Sequence, residues 1–277
     1  MKMAFTFTQH GILTKMSKIA ILKGTSGVGK GTRVVQLIEF LKTKFKSSTV
    51  HYTFEGKRRV LGTVFHDQKI LFIGRIVTSN KSGLASWTSM DDMHAIVKNV
   101  VNVPAILKPW IDKGYTLVCE GEPMMQSNRW RPLYLNEEFG ITEFFFQYYH
   151  YAGDRDAYND RIIGRSGKAA GESGWHREKN YQTEHVKVNE EFTSLGLHSV
   201  VCPVSGPAFW EDIEGGKSIN LLSKYDALPW LWGVEFLNWM GMDQSDLTGQ
   251  FRKFATENPT LREINGSNPL AKTKKLW

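Results

Sequence analysis

Hydrophobic positions alternate between short runs and helical stripes along most of this chain. Lys18–Lys23 (KIAILK) is a short apolar run ended by a glycine-rich turn, and Thr32–Phe45 follows with apolar residues at helical spacing. Strand, loop and helix are predicted in that order. Ser47–Phe54 reads as a second strand that closes a first βαβ unit, and Val60–Phe65 and Ile70–Val77 suit a hairpin around His66-Asp67-Gln68-Lys69. Ser89, with Asp91 and Asp92 in the turn it would cap, opens a helix running toward Lys113 with a kink at Pro104. Tyr115–Cys119 and Ile141–Tyr149 are two further strands. Asp154–Gly164 reads as helix, Ser166–Trp175 as a Gly/Ser loop and His176–Leu195 as one helix or a pair. His198–Val204 is the last expected strand; beyond it the chain reads as helical and aromatic, ending in the polar tail Asn265–Trp277. Strands alternating with helices imply an α/β fold, an open parallel sheet covered by helices on both faces.

The strongest chemical signal lies at the first turn of this pattern. Gly24-Thr25-Ser26-Gly27-Val28-Gly29-Lys30-Gly31-Thr32 follows a strand and opens a helix. Glycines let successive backbone N–H groups turn inward around phosphates, and the helix adds its positive end. Lys30 lies where its ammonium reaches the β and γ phosphates of a nucleoside triphosphate. Gly31 stands where a hydroxyl usually follows the lysine, and Thr32 comes next. The form G-x-x-G-x-G-K-G-T resembles the phosphate loop of the nucleoside-monophosphate kinases more than that of GTPase switches or motor ATPases. ATP and Mg²⁺ are therefore the expected cofactors, with Thr32 and Glu120 on the metal side.

Phosphoryl transfer needs cations around the moving group and a carboxylate for the acceptor hydroxyl. Glu55 ends the second predicted strand, where deoxynucleoside and thymidylate kinases carry such a carboxylate, so it resembles a base. Glu120 and Glu122 leave the strand Tyr115–Cys119 through a glycine turn, at the place where such kinases carry an Asp/Glu-Arg pair. Here the adjacent arginine is missing, although Arg129 and Arg131 follow soon after. Arg161 and Arg165 sit four apart on one helical face and lead into a loop with Lys168, then Arg177 and Lys179. That arrangement resembles a kinase lid, closing over triphosphate to exclude water and neutralise developing charge.

Composition narrows the acceptor. Thirty-five Lys and Arg against 28 Asp and Glu give +7, a balance that favours a polyanionic partner. The run Lys57-Arg58-Arg59 sits beside Glu55, and residues 250–277 hold six Lys/Arg against two Glu. Trp87, Trp130 between Arg129 and Arg131, and Trp175 offer stacking planes of the kind an extruded base needs. Two cysteines, Cys119 and Cys202, make neither a disulfide framework nor a cysteine zinc cluster. No window approaches the ~18 apolar residues of a membrane helix, and Met1–Lys15 lacks the apolar run of a signal peptide. A cytoplasmic protein with no structural metal is expected, and Met16 is an alternative start.

Phe72–Asp91, Val118–Arg131 and Asp160–Lys168 resemble stretches of the bacteriophage P-loop kinases that phosphorylate 5-hydroxymethyluracil in DNA during thymine hypermodification. The resemblance covers roughly residues 17–277. It implies ATP as donor, DNA as polymer substrate and a host-cell cytoplasmic setting. It also accounts for the missing Asp/Glu-Arg pair, since a DNA-borne base is a different acceptor from a free nucleotide. The expected division is an N-terminal extension at 1–16, a P-loop kinase domain over 17–264 with its lid near 161–180, and a basic tail at 265–277. Two alternatives stay open: a deoxynucleoside or deoxynucleoside-monophosphate kinase, and a P-loop NTPase acting as a switch or DNA-associated accessory. Oligomeric state is not legible.

Overall fold

The computed structural model describes residues 17–24, 29–78, 85–88, 93, 97, 102–121, 130–151, 155–166, 168–169, 171–196, 200–203, 210–213, 217–220, 230–242 and 246–258. Strand β1 (Ser17–Gly24) enters helix α1 (Lys30–Lys42) through the glycine loop. Strands β2 (Ser48–Phe54), β3 (Lys57–Phe65) and β4 (Ile70–Ile73) follow, then the small hairpin β5 (Arg75–Thr78) and β6 (Ala85–Thr88). Helix α2 (Asn102–Asp112), β7 (Thr116–Glu120), α3 (Pro132–Phe139) and β8 (Ile141–His150) continue the chain. Helices α4 (Arg155–Ser166) and α5 (Glu172–Ser194) precede β9 (Val200–Pro203) and the hairpin β10 (Trp210–Ile213) and β11 (Lys217–Asn220). Helices α6 (Leu231–Trp239) and α7 (Leu247–Glu257) complete the described chain.

The main sheet has seven strands in the order β2-β3-β4-β7-β1-β8-β9. Every pair from β4 to β9 is parallel, whereas β3 is antiparallel to both its neighbours. One face packs Ala20, Leu22 and Tyr149 against Leu37, Leu41, Phe236 and Phe251 of α1, α6 and α7. The other packs Ile19, Ile21 and Phe146 against Val103, Leu107, Leu135 and Phe192 of α2, α3 and α5. Both faces of the central strands are apolar because both are covered, which is why those strands read as continuous runs. The expected α/β sheet with helices on both faces and a helical C-terminal part is what forms.

Four readings need correction. The second strand does not close a βαβ unit beside β1; β2 pairs only with β3 and lies at the sheet edge. Ile70–Val77 is two strands, broken at Gly74 (φ 127°), so the chain leaves the sheet into β5. The described helix α2 begins at Asn102, which puts Pro104 in the first turn, where its missing N–H costs nothing, and Pro109 inside instead. The stretch after β9 holds the hairpin β10–β11, whose four-residue strands are too short to show alternation. The Ser89 cap and the tail from 265 onward lie outside the described residues.

Candidate active site

The C-terminal ends of β1 and β7 are level, with Leu22 paired to Glu120 in a parallel register. Residues so paired share a face, so the Glu120 side chain stands on the α1 side of the sheet. Lys30, the first residue of α1, reaches back to that point. Its Nζ donates to the Gly24 carbonyl at 2.8 Å and lies 4.0 Å from Glu120 Oε2. Both side chains are buried, at 9% and 7% exposure, so this pair is screened far less than a surface one. The Lys30 side chain is therefore buried against the end of β1 rather than exposed to solvent. The helix N-cap is Gly29, which has no side chain of its own to cap the first-turn N–H groups. Thr25, Ser26, Gly27 and Val28 lie outside the described residues.

Two glycines of the loop are fixed by space. A Cβ on Gly24 (φ 136°) would lie 2.2 Å from the Tyr149 carbonyl oxygen of β8. A Cβ on Gly31 would lie 2.8 Å from the backbone nitrogen and 2.9 Å from the carbonyl oxygen of Trp87. The hairpin β5–β6 therefore leans directly on the first turn of α1. Trp87 pins it there, with its ring buried and Nε1 donating to the Ile73 carbonyl at 3.0 Å. The missing hydroxyl at position 31 is thus a packing requirement of a hairpin that the sequence reading had not separated from β4.

Arg33 was missed. One turn beyond Lys30, its buried guanidinium lies 4.9 Å from the Tyr149 ring centroid and against Gly29. The Tyr149 hydroxyl donates to Gln147 Oε1, and Gln147 Nε2 donates to Glu235 Oε2 of α6 at 2.6 Å. On α1, one turn beyond Arg33, Gln36 donates to the Asn258 carbonyl at 2.8 Å. The helical C-terminal segment thus holds α1 and its cations in position. An arginine or glutamine inside an apolar helical stripe was the available signal.

The remaining candidates divide clearly. Glu55 is exposed at the β2–β3 turn, in the left-handed region (φ 48°), and β2 is separated from β1 by β3, β4 and β7. At ~4.8 Å per strand this is on the order of 19 Å across the sheet, so the structure does not bring Glu55 to Lys30. Trp87 and Trp130 are core residues, 3% and 1% exposed, and Trp175 packs against Tyr158; none presents an open face for a base. Arg131 is committed elsewhere, bonded to Glu184 at 3.0 Å and Glu191 at 3.1 Å, so that α3 is tied to α5. Lys57 and Arg58 are exposed on β3, Arg59 is half-buried beside them, and Lys168 is exposed between α4 and α5. Arg161 and Arg165 lie within α4, whose link to α5 is five residues, shorter than the expected loop, since α5 already begins at Glu172. Glu122 and Arg129 lie outside the described residues, as do the side-chain positions of Arg161 and Arg165.

Lys23 ends the opposite face of β1. Its ammonium is fully buried, lies 5.2 Å from the Phe146 ring centroid and has no hydrogen-bond partner. Burial, with the nearby Arg131 charge, lowers its pKa from 10.5 to about 7, against the weaker pull of Glu191 and Glu184. The unfolded chain then holds the proton to higher pH than the folded one. Below pH 7 folding bears the full cost of the buried charge, and between about 7 and 10.5 stability rises with pH. Lys23→Met should therefore gain up to a few kcal/mol over the native chain near pH 6.5, with the gap closing by pH 10. Urea unfolding at several pH values tests this; a gap independent of pH would mean that Lys23 titrates normally.

A buried carboxylate thus lies beside the lysine that follows the glycine loop. The sequence profile of the family described as 5-hmdU DNA kinase 2 matches residues 16–275. A 5-hmdU DNA kinase 2 from Salmonella phage ViI is 40% identical over 268 residues, covering 92% of this chain and 88% of the relative. The chain belongs to the 5-hmdU DNA kinase 2 family. The match takes in all the described strands and helices, from β1 through the glycine loop to α7. Among the described residues no helix is long and apolar enough to cross a membrane.

Proposed function

We propose that this protein transfers the γ-phosphate of ATP to the hydroxymethyl oxygen of 5-hydroxymethyluracil within DNA. The observation that carries the reading is the Lys30–Glu120 pair at the C-terminal edge of the sheet, in a chain of this family. Lys30 and the N–H groups of the first turn of α1 hold the triphosphate and neutralise charge on the transferred group. Glu120 orients the acceptor hydroxyl and takes its proton, and Arg161 and Arg165 close from the lid. With Glu55 remote, Glu120 takes the base role, and Glu122 stands two residues away from it as the second carboxylate.

Mg²⁺ suits the oxygens present. Glu120 and the Thr32 hydroxyl are hard donors beside the phosphate loop, and no cluster of three or more ligating side chains occurs among the described residues. Mg²⁺ ordinarily uses one or two carboxylates, with phosphate and water completing the shell. Held by Glu120 and Thr32, it would supply positive charge to the phosphates when bound. Glu120→Gln should abolish transfer while sparing DNA affinity, because a carboxamide keeps the shape but neither accepts the proton nor serves the metal. Quench-flow transfer and anisotropy titrations separate the two effects, and a Gln variant that turns over normally would remove Glu120 from the mechanism.

The function itself is tested with γ-labelled ATP and four acceptors: hydroxymethyluracil DNA, thymine DNA, free 5-hydroxymethyldeoxyuridine and its monophosphate. Label on the first alone is expected. Label on free nucleosides or nucleotides at salt-independent rates would replace the DNA reading with the ordinary nucleotide-kinase one.

A further inference from the structure

The β2–β3 hairpin outruns the sheet. Gly62 pairs with Ile73, the last residue of β4, and the Leu61 carbonyl still accepts from the Gly74 N–H at 2.8 Å; beyond that bulged residue the ladder between β2 and β3 continues through Val60, Arg59, Arg58 and Lys57. That extension is on the order of 14 Å. Since β2 runs parallel to β4, β7 and β1, it projects from the same edge that carries Lys30 and Glu120. Its two faces differ. Tyr52 and Leu61 are buried on one, with Phe54 and Arg59 half-buried beside them; His51, Thr53, Arg58 and Val60 are all exposed on the other. A bulge between Val50 and His51 starts this alternation afresh. Across the exposed face Arg58 Nη2 donates to His51 Nδ1 at 3.2 Å, which holds the guanidinium over the ribbon.

We infer that this ribbon enters the major groove of duplex DNA beside the target base, with Arg58 reading a flanking guanine. The inference rests on the DNA-kinase reading. The substrate's hydroxymethyl group is carried on C5 of the pyrimidine, the position that faces the major groove. An enzyme that seeks this group meets the duplex from that side. The groove admits a two-stranded β-ribbon, and the ribbon here has the length, the cationic edge and an exposed face to suit it. Lys57, exposed next to Arg58 at the tip of the ribbon, supplies a phosphate contact; Arg58 has the forked donor geometry for O6 and N7 of guanine. Val60, 39% exposed on an otherwise polar face, matches the C5 methyl of a neighbouring thymine. A ribbon decorated only for solubility needs neither the apolar Val60 nor the held guanidinium.

The test uses hydroxymethyluracil duplexes that differ only in the bases next to the target, with the native protein, Arg58→Ala and Arg58→Lys. Arg58 is exposed, so both variants should fold. The native protein should prefer one guanine-bearing context by roughly 5- to 150-fold in kcat/KM, the range of one bidentate contact. It should also protect the N7 of that guanine from dimethyl sulfate. Arg58→Lys keeps the charge but not the fork. It should keep the salt dependence of DNA binding while losing both the preference and the protection, as Arg58→Ala should too. Retention of preference and N7 protection by both variants overturns the groove placement. So does a native protein that transfers to DNA with no flanking preference. If the native protein labels free nucleosides and not DNA, it is instead the DNA-kinase reading that fails, and the ribbon inference falls with it.

Discussion

Lys30→Met is expected to lower the rate of phosphate transfer by about a thousandfold while leaving a folded protein. On the proposed reading Lys30 supplies the positive charge nearest the transferred group, and removing one such preorganised donor typically costs 10²–10³-fold. The burial of its side chain makes methionine the better substitution than alanine. Methionine keeps the aliphatic stem in a site only 9% exposed, so no cavity is added to the loss of charge. Some stability should still be lost, because Glu120 keeps its buried carboxylate without the ammonium 4.0 Å away. Lys30→Met combined with Glu120→Gln should restore that stability but not the activity. Single-turnover transfer and thermal unfolding measured on the same samples separate the two terms. A folded Lys30→Met protein with native turnover would remove the phosphate-loop reading altogether.

The parts of this molecule that depend on local patterning were readable in advance. The apolar runs of β1, β7 and β8 are buried on both faces, and the loop between β1 and α1 carries its chemistry in consecutive residues. Pairing was not readable. Ser47–Phe54 has the same local appearance whether it enters the sheet beside β1 or folds back on Lys57–Phe65, and only the tertiary structure selects the edge position. That one choice moves Glu55 away from Lys30 and puts Lys57–Arg59 at the sheet edge. The tryptophans misled for a related reason. A tryptophan among arginines suits a stacking platform, yet the same large ring is what a core between sheet and helix requires, and Trp130 fills the core under α3. Arg33 and Lys23 show the converse. Each is a cation inside an apolar stretch, which marks it in the sequence without telling whether it snorkels to solvent or stays buried.

Gly31→Ser should damage this protein, although it would create the more common lysine–hydroxyl sequence of phosphate loops. If the absent hydroxyl were a chemical deficit, restoring it would be neutral or would help hold the metal. The space around position 31 says otherwise. A Cβ there meets the Trp87 backbone at 2.8 and 2.9 Å, and backbone atoms do not swing aside as a side-chain tip does. The hairpin cannot recede freely either, since the Trp87 ring is buried and its Nε1–H is bonded to Ile73. Either α1 shifts at its first turn or β6 does. Overpacking of this kind costs typically 1–3 kcal/mol, and displacing the loop by an ångström is enough to slow transfer about a hundredfold. Gly31→Ala separates space from chemistry, because it brings the Cβ without the hydroxyl. Alanine and serine should lower Tm and turnover to the same degree, with ATP binding weakened alongside. A serine variant that matches the native protein in both measurements, or that clearly outperforms alanine, would show that the hairpin yields and that Gly31 is a matter of metal chemistry after all.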